Sequence, residues 1–261
     1  WAARDDGSAG APKGTSHVLP YAGYAVMRSG WERDANYLAF DFGTLGYGHV
    51  HQDKLNVVLW AYGRPILFDG GGGNYEDSPY RRYDVDTFAH NTGLVDGLPQ
   101  RRPTNDRWAN VSREPLDARW ESTPEYDFAA GVYDEGYGDV DDRPATHTRR
   151  VLFVKPDLFV VADTFTPNDA ESHTYQIRWH TDSTSWAAAD REGVRIRRTD
   201  DDGSPNLAIL ALDSAGLDTT SHSGVTEPDT LGWWVARDGN HRPATTELHT
   251  REGLGPQAFL T

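Results

Sequence analysis

The chain has 261 residues, a formal net charge of −15 and no cysteine. That length buries a core without cross-links, and the missing thiols exclude a disulfide scaffold, a cysteine nucleophile and any cysteine-ligated metal. The acidity argues against nucleic acid as a partner, which needs clustered Lys and Arg, and against a membrane partner with an anionic surface; no apolar run approaches the roughly 20 residues of a membrane helix.

The chain opens at Trp1 with a polar, Gly-rich stretch from Asp5 to Gly14. Residues 1–20 read as a lead or linker and 21–261 as one β domain, cut from a longer protein. Helical periodicity is scarce. Runs rich in Val, Tyr, Phe, Trp and Thr predict strands near Gly23–Arg28, Tyr37–Phe42, Leu55–Tyr62 and Pro65–Phe68. Further strands are expected near Thr92–Asp96, Asp127–Tyr133, Thr146–Val154, Leu158–Thr164, His173–His180, Val194–Arg198, Leu207–Leu212 and Gly232–Ala236. Turn signals separate them, among them Asp96-Gly97, Lys155-Pro156-Asp157, Asp202-Gly203 and Asp238-Gly239. Many short strands without intervening helices predict an all-β fold, a large antiparallel β-sandwich or stacked sheets. Val151–Thr164 reads as a hairpin whose apolar runs are buried on both faces. The acidic stretch Asp134–Asp142 reads as a solvated loop, because its spacing matches no known calcium loop.

Chemistry concentrates between Gly46 and Gln100. His49, His51 and Asp53 at strand spacing would share one face, each about 6.5–7 Å from the next. One imidazole can then bind a metal while the other faces a cleft. Asp69 and His90 add donors at the ends of other strands, and two His, one Asp and a water satisfy tetrahedral zinc. The plain alternative is that these histidines cap loops or hydrogen-bond in the core. Gly70–Gly73 lacks the Lys-Ser/Thr ending of a phosphate loop, so it reads as a tight turn where backbone comes close to a neighbour. Arg81, Arg82, Arg101, Arg102 and Arg107 make one stretch locally positive. They either grip sugar carboxylates or sulfates or pair with nearby Asp. Tyr75, Tyr80 and Tyr83 either stack on sugars or pack in the core. His180 reads as a satisfied sheet histidine.

The ordered motifs Gly48-His49-x-His51-x-Asp53-x-Leu55, Gly63-Arg64-Pro65-x-Leu67-x-Asp69-x-Gly71 and Ala89-His90-Asn91-Thr92 with Val95-Asp96-Gly97 resemble the heparinase II/III family. Weaker similarity runs through His147-x-Arg149, Val160-Val161-x-Asp163 and His173. The resemblance implies stacked antiparallel sheets that follow an N-terminal α/α toroid, with the active cleft between them. It implies a site-organising zinc ion on His51, Asp69 and His90, and a catalytic His49 facing the cleft. Substrate contacts are expected from Tyr75, Tyr80, Arg82 and Asn91. The implied reaction is β-elimination on a uronate-containing anionic polysaccharide or oligosaccharide, in a secreted or periplasmic setting. The family's catalytic Tyr lies in the toroid, so this chain alone is expected to be inactive or very weak. A carbohydrate-binding or structural module with a structural zinc, and a zinc hydrolase with Asp53 as its base, are the competing readings.

Overall fold

The computed structural model describes residues 14–44, 46–72, 75–101, 111–117, 119–138 and 144–261. Its first sheet is an antiparallel meander in chain order: β1 (His17–Leu19), β2 (Tyr24–Arg28), β3 (Tyr37–Asp41), β4 (Val57–Ala61) and β5 (Arg64–Leu67). The period-2 pattern explains its orientation. Ala25, Met27, Leu38, Phe40, Val57 and Leu59 are buried on one face. Alternate residues such as Arg28, Tyr37, Val58 and Trp60 face the other way. Tyr62 and Gly63 close the β4–β5 hairpin at positive φ, 51° and 82°, the backbone a tight two-residue turn requires. The sheet begins at His17, inside the stretch read as a lead.

A single short helix follows, α1 (Pro79–Val85), capped by Ser78 with Pro79 in its first turn, then β6 (Gly93–Val95). The next strands are β7 (Glu121–Ser122), β8 (Tyr126–Tyr133), β9 (Ala145–Val154), β10 (Leu158–Pro167), β11 (Ser172–Thr181), β12 (Trp186–Ala188), β13 (Arg195–Thr199), β14 (Ala208–Ala211) and β15 (Asp218–Ser223). The chain ends with β16 (Trp233–Val235), β17 (His241–Pro243), β18 (Thr245–Leu254) and β19 (Gln257–Leu260). A second sheet runs β19-β10-β9-β8-β7, a third β15-β18-β11-β6, and β12–β14 and β16–β17 form smaller ones. All their strand pairs are antiparallel. The expected all-β class of stacked antiparallel sheets is what the chain adopts.

The first and second sheets pack face to face. A Cβ built on Gly131 of β8 would lie 2.7–3.2 Å from Leu55, Phe42 and Phe40, so only glycine permits that approach. The β9–β10 hairpin has the expected register, with Val151 opposite Val161. It is buried on one face only: Val151 and Phe153 are inside, whereas Val154 and Leu158 are exposed. The reason is that the second sheet has solvent on its far side, so its apolar runs do not signal two covered faces.

Two polar clusters brace these sheets. Arg149 of β9 is fully buried; its Nε and Nη2 donate to Asp163 at 2.7 and 3.1 Å, and its Nη1 donates to the Leu55 and Asn91 carbonyls. Removing the guanidinium would leave Asp163 charged and unmatched. We expect Arg149→Leu to cost about 3–5 kcal/mol, the penalty for breaking a buried pair, read as a lower urea midpoint. His173 of β11 bonds Asp96 through Nδ1 at 2.6 Å and Asp169 through Nε2 at 2.9 Å. Burial opposes protonation of this ring, the two carboxylates overcome it, and its pKa is raised. A raised folded pKa gives stability that is complete below the ordinary His value of about 6.5 and is lost as pH rises through the folded value. The stability gap between wild type and His173→Gln should therefore be widest below that pH and shrink above it. A gap that grew with pH in denaturant titrations would contradict the clamp.

Candidate metal centre and cleft

The segment from Gly46 to Asp53 is not a strand. His49 takes a left-handed φ of 56°, which breaks the alternation expected of His49, His51 and Asp53. The two histidines diverge for that reason. His51 is half-buried and turns to His90, with ring centroids 5.3 Å apart. His49 is exposed and its Nδ1 hydrogen-bonds the Tyr75 hydroxyl. The loop is pinned from below: the Gln52 amide donates to the Val85 carbonyl at 2.9 Å, and the Thr87 hydroxyl donates to the Gln52 carbonyl at 2.7 Å.

Asp69 leaves the end of β5, and His90 follows a 3-10 turn over Thr87–Ala89. A Cβ on Gly70 would lie 2.3 Å from that of Ala89, so the glycine is what lets the two segments meet. Gly71 bridges Val235 of β16, and a Cβ there would overlap the Val235 carbonyl oxygen at 1.9 Å. The glycine run is thus a close-approach turn, as its composition suggests. Asp69 Oδ1 lies 2.7 Å from His90 Nδ1, and Asn56 donates to Asp69 Oδ2 at 2.9 Å.

One donor atom each from His51, Asp69 and His90 lies within 4.8 Å of the others, the one such group among the described residues. Two imidazoles and a carboxylate are donors that suit zinc and leave a fourth position open. His90 is fully buried and its Nε2 has no hydrogen-bond partner. An orphaned nitrogen of this kind is what a bound cation satisfies, so these residues fit the group. Burial alone would raise the Asp69 carboxyl, but His90 reverses the sign and holds it below the usual carboxylate range. For His90 burial works downward and Asp69 wins, raising it to about 9. Burial and His90 together lower His51.

The expected sugar contacts divide. Tyr75 is 78% exposed and lies under Arg81, whose guanidinium sits 5.5 Å from its ring centroid. Tyr80 stacks on His241 of β17 at 3.6 Å. Arg82 is exposed and pairs with Asp77, while Arg81 pairs with Asp84, so both are matched to Asp. Arg101 is buried; Arg102 and Arg107 lie outside the described residues, as does part of the Asp134–Asp142 loop. Asn91 must be corrected. It is fully buried: its amide donates to the Val57 and Phe68 carbonyls at 2.8 Å each, and its oxygen accepts the His180 amide. It has no surface to offer a sugar. His180 is likewise satisfied, bonded to the Phe88 carbonyl at 3.0 Å; burial and then Arg178 lower it to about 3.

Two features escaped the sequence reading. The β16–β17 hairpin walls the site through Val235 and His241, and nothing local ties residues near 240 to residues near 75. Tyr24 and Asp41 stand opposite each other across β2 and β3 on the outer face of the first sheet. Burial, then the Asp53 charge, raises Asp41 to about 7. In sequence both look like ordinary members of strand alternation.

Residues 11–255 match the profile of the heparinase II/III-like, C-terminal domain. The chain belongs to the heparinase II/III-like family. A heparin-sulfate lyase from Pedobacter heparinus is 25% identical over 98% of this chain and 36% of its own length. The solved heparan sulfate lyase HepC from Pedobacter heparinus superimposes with a TM-score of 0.73 at 19% identity, covering 95% of this chain and 36% of that one. A solved heparinase III gives 0.72 at 16% identity, covering 95% and 35%. At these identities the structural likeness shows a shared fold. The heparinase II/III-like chain spans about 36% of the length of the curated relative it matches.

Asn91 lends itself to a direct check. Asn91→Ala strands two carbonyls and one amide in the core, and at about 1–3 kcal/mol per buried group the loss should be several kcal/mol. Urea unfolding would show it; a variant as stable as wild type would return Asn91 to the list of surface contacts.

Proposed function

We propose that this chain is the zinc-carrying C-terminal β domain of a polysaccharide lyase that cleaves uronate-containing anionic polysaccharide by β-elimination. The observation that carries this reading is the divergence of the two loop histidines, His51 toward Asp69 and His90, His49 outward to Tyr75. Family membership and the lyases among its relatives support it.

Bound among His51, Asp69 and His90, zinc supplies a fixed positive charge that ties the histidine loop to the sheets. The reacting groups are this chain's own. In β-elimination the proton on C5 of the uronate leaves and its electron pair forms the C4–C5 double bond. The C4–oxygen bond breaks, and the leaving oxygen takes up a proton. His49 Nδ1 is engaged by Tyr75, which leaves Nε2 to meet a sugar and transfer a proton. Tyr75 holds the ring in that orientation and shares its proton. Arg81, bonded to Asp84, packs its guanidinium against the Tyr75 ring and helps to hold that ring in place.

Because the chain spans about a third of its relative, we assign the remaining cleft wall and the rest of the proton-transfer machinery to an N-terminal α/α toroid domain. A polymeric substrate places the work outside the cytoplasm, in the periplasm or the medium.

The test has two parts. Metal analysis should find about one zinc per chain, lost in His51→Ala. With a toroid domain supplied, release of unsaturated uronate should fall at least about a hundredfold in His49→Ala, while zinc content holds. Turnover indifferent to His49, or hydrolysis without an unsaturated product, would sink the proposal.

A further inference from the structure

We propose that the outer face of the first sheet carries a groove for an anionic oligosaccharide, running along β4 and β5 from Trp60 to Asp69. The inference extends the lyase reading, from which it takes the uronate class of its ligand.

Strand register places Arg28, Tyr37, Trp60 and Pro65 in one row across β2, β3, β4 and β5. Trp60 is 40% exposed on an inner strand of this sheet, where an indole against water has no packing reason. Beside the row lies a cavity of about 470 Å³. Tyr37, Val58, Trp60 and Pro65 form its floor, Arg28, Glu32 and Arg33 its rim, and Phe68 and Asp69 its far end. From Pro65 to Asp69 is four residues, about 13 Å of extended chain, enough for a short run of sugars.

Two kinds of chemistry converge there. Aromatic faces take the apolar face of a pyranose while its hydroxyls stay solvated. The cations complement sulfate or carboxylate. Arg28 is held between two rings, its guanidinium 4.6 Å from the centroid of Trp31 and 4.2 Å from that of Tyr37, so its fork is fixed before a ligand arrives. Among the described residues, neither Arg28 nor Arg33 has a carboxylate within ion-pairing distance, whereas nine other arginines do. Glu32, the acid on the rim, has an oxygen accepting the Trp31 amide at 3.0 Å. In a chain of net charge −15, unmatched arginines over exposed aromatics complement an anionic partner. The far end is continuous with the metal centre through Asp69, whose charge is matched by His90. A strand of polymer in the groove would therefore lead into the cleft.

The experiment titrates the whole chain with a size-defined heparan sulfate hexasaccharide and a mannuronate hexasaccharide, with cellohexaose as neutral control. Calorimetry and indole fluorescence read the binding. At least one anionic hexasaccharide should bind and cellohexaose should not. Trp60→Ala should weaken binding at least about tenfold, as loss of an aromatic anchor does, and Arg33→Gln should weaken it several-fold with a shallower salt dependence. Both side chains are surface-accessible, so unchanged circular dichroism and melting temperature should accompany the loss. The groove is overturned if neither anionic probe binds, if Trp60→Ala binds as wild type does, or if cellohexaose binds equally. It is also overturned if adding a toroid domain abolishes binding, since that domain then covers the face. Binding through Trp60 without any unsaturated product from the assembled enzyme would keep the groove and remove the lyase reading. Product formation with binding indifferent to Trp60 would do the reverse.

Discussion

The Arg149 guanidinium organises what surrounds it. It is fully buried, so its charge must be matched within reach, and a missed partner would be severe. Asp163 of the neighbouring strand answers two of its nitrogens, and Nη1 reaches across the layer boundary to the carbonyls of Leu55 and Asn91. Leu55 lies just beyond the loop that carries His49 and His51, and itself sits at a positive φ of 63°. Asn91 directly follows His90. One side chain of the second sheet therefore fixes the backbone of both segments from which imidazoles enter the candidate metal centre. His147 shares the same carboxylate at 2.7 Å; burial lowers its pKa despite Asp163, so it serves as a neutral donor and adds no second charge.

Asn91 continues the same logic one bond further. Its side chain pairs with Val57 and Phe68 on β4 and after β5, its amide with Asn56, and its oxygen with the start of the His180 contact. Asn56 in turn holds Asp69. The three donor residues thus hang from a chain of buried hydrogen bonds that begins at Arg149, and rigid support of this kind is what a metal site requires of the groups behind its ligands.

How much of this was legible follows from which faces are apolar. Strands β2 to β5 of the first sheet, and β9, stand within two residues of where the sequence puts them, whereas β1 falls inside the expected lead and β10 runs three residues further, to Pro167. In the third sheet β6 and β11 stand where the sequence predicts Thr92–Asp96 and His173–His180, whereas β15 and β18 hide. Its ten-residue strand β18 reads Thr-Thr-Glu-Leu-His-Thr-Arg-Glu-Gly-Leu, with no apolar face, because its inward residues are Glu247, His249 and Arg251. All three are buried: Glu247 accepts from Ser221 of β15 and meets Arg197 of β13. A polar layer between sheets defeats any pattern built on hydrophobicity. The short strands β1, β7, β12, β17 and β19 fail for a simpler reason, since two to four residues cannot display a period. At the site, residue identity was informative and geometry was not. The candidate donors His51, Asp69 and His90 could be named from motif order, whereas the left-handed turn at His49 that separates the two histidines, and the burial of Asn91, arise from packing against β9, β11 and α1.

The overall charge bears on the proposed ligand, because an acidic protein should repel a polyanion. The answer we propose is local. Fields between exposed charges fade within about 8–10 Å at physiological salt, so distant carboxylates count for little at a groove. What counts is whether the carboxylates and cations at that place are already matched. Asp69 is matched by His90, Asp84 by Arg81, Asp77 by Arg82 and Asp127 by Lys155. Nine arginines are paired in this way among the described residues, and an arginine beside an aromatic ring without such a partner is open to an external anion. Net charge then governs solubility and long-range approach, while in the proposed groove recognition rests on Arg28 and Arg33.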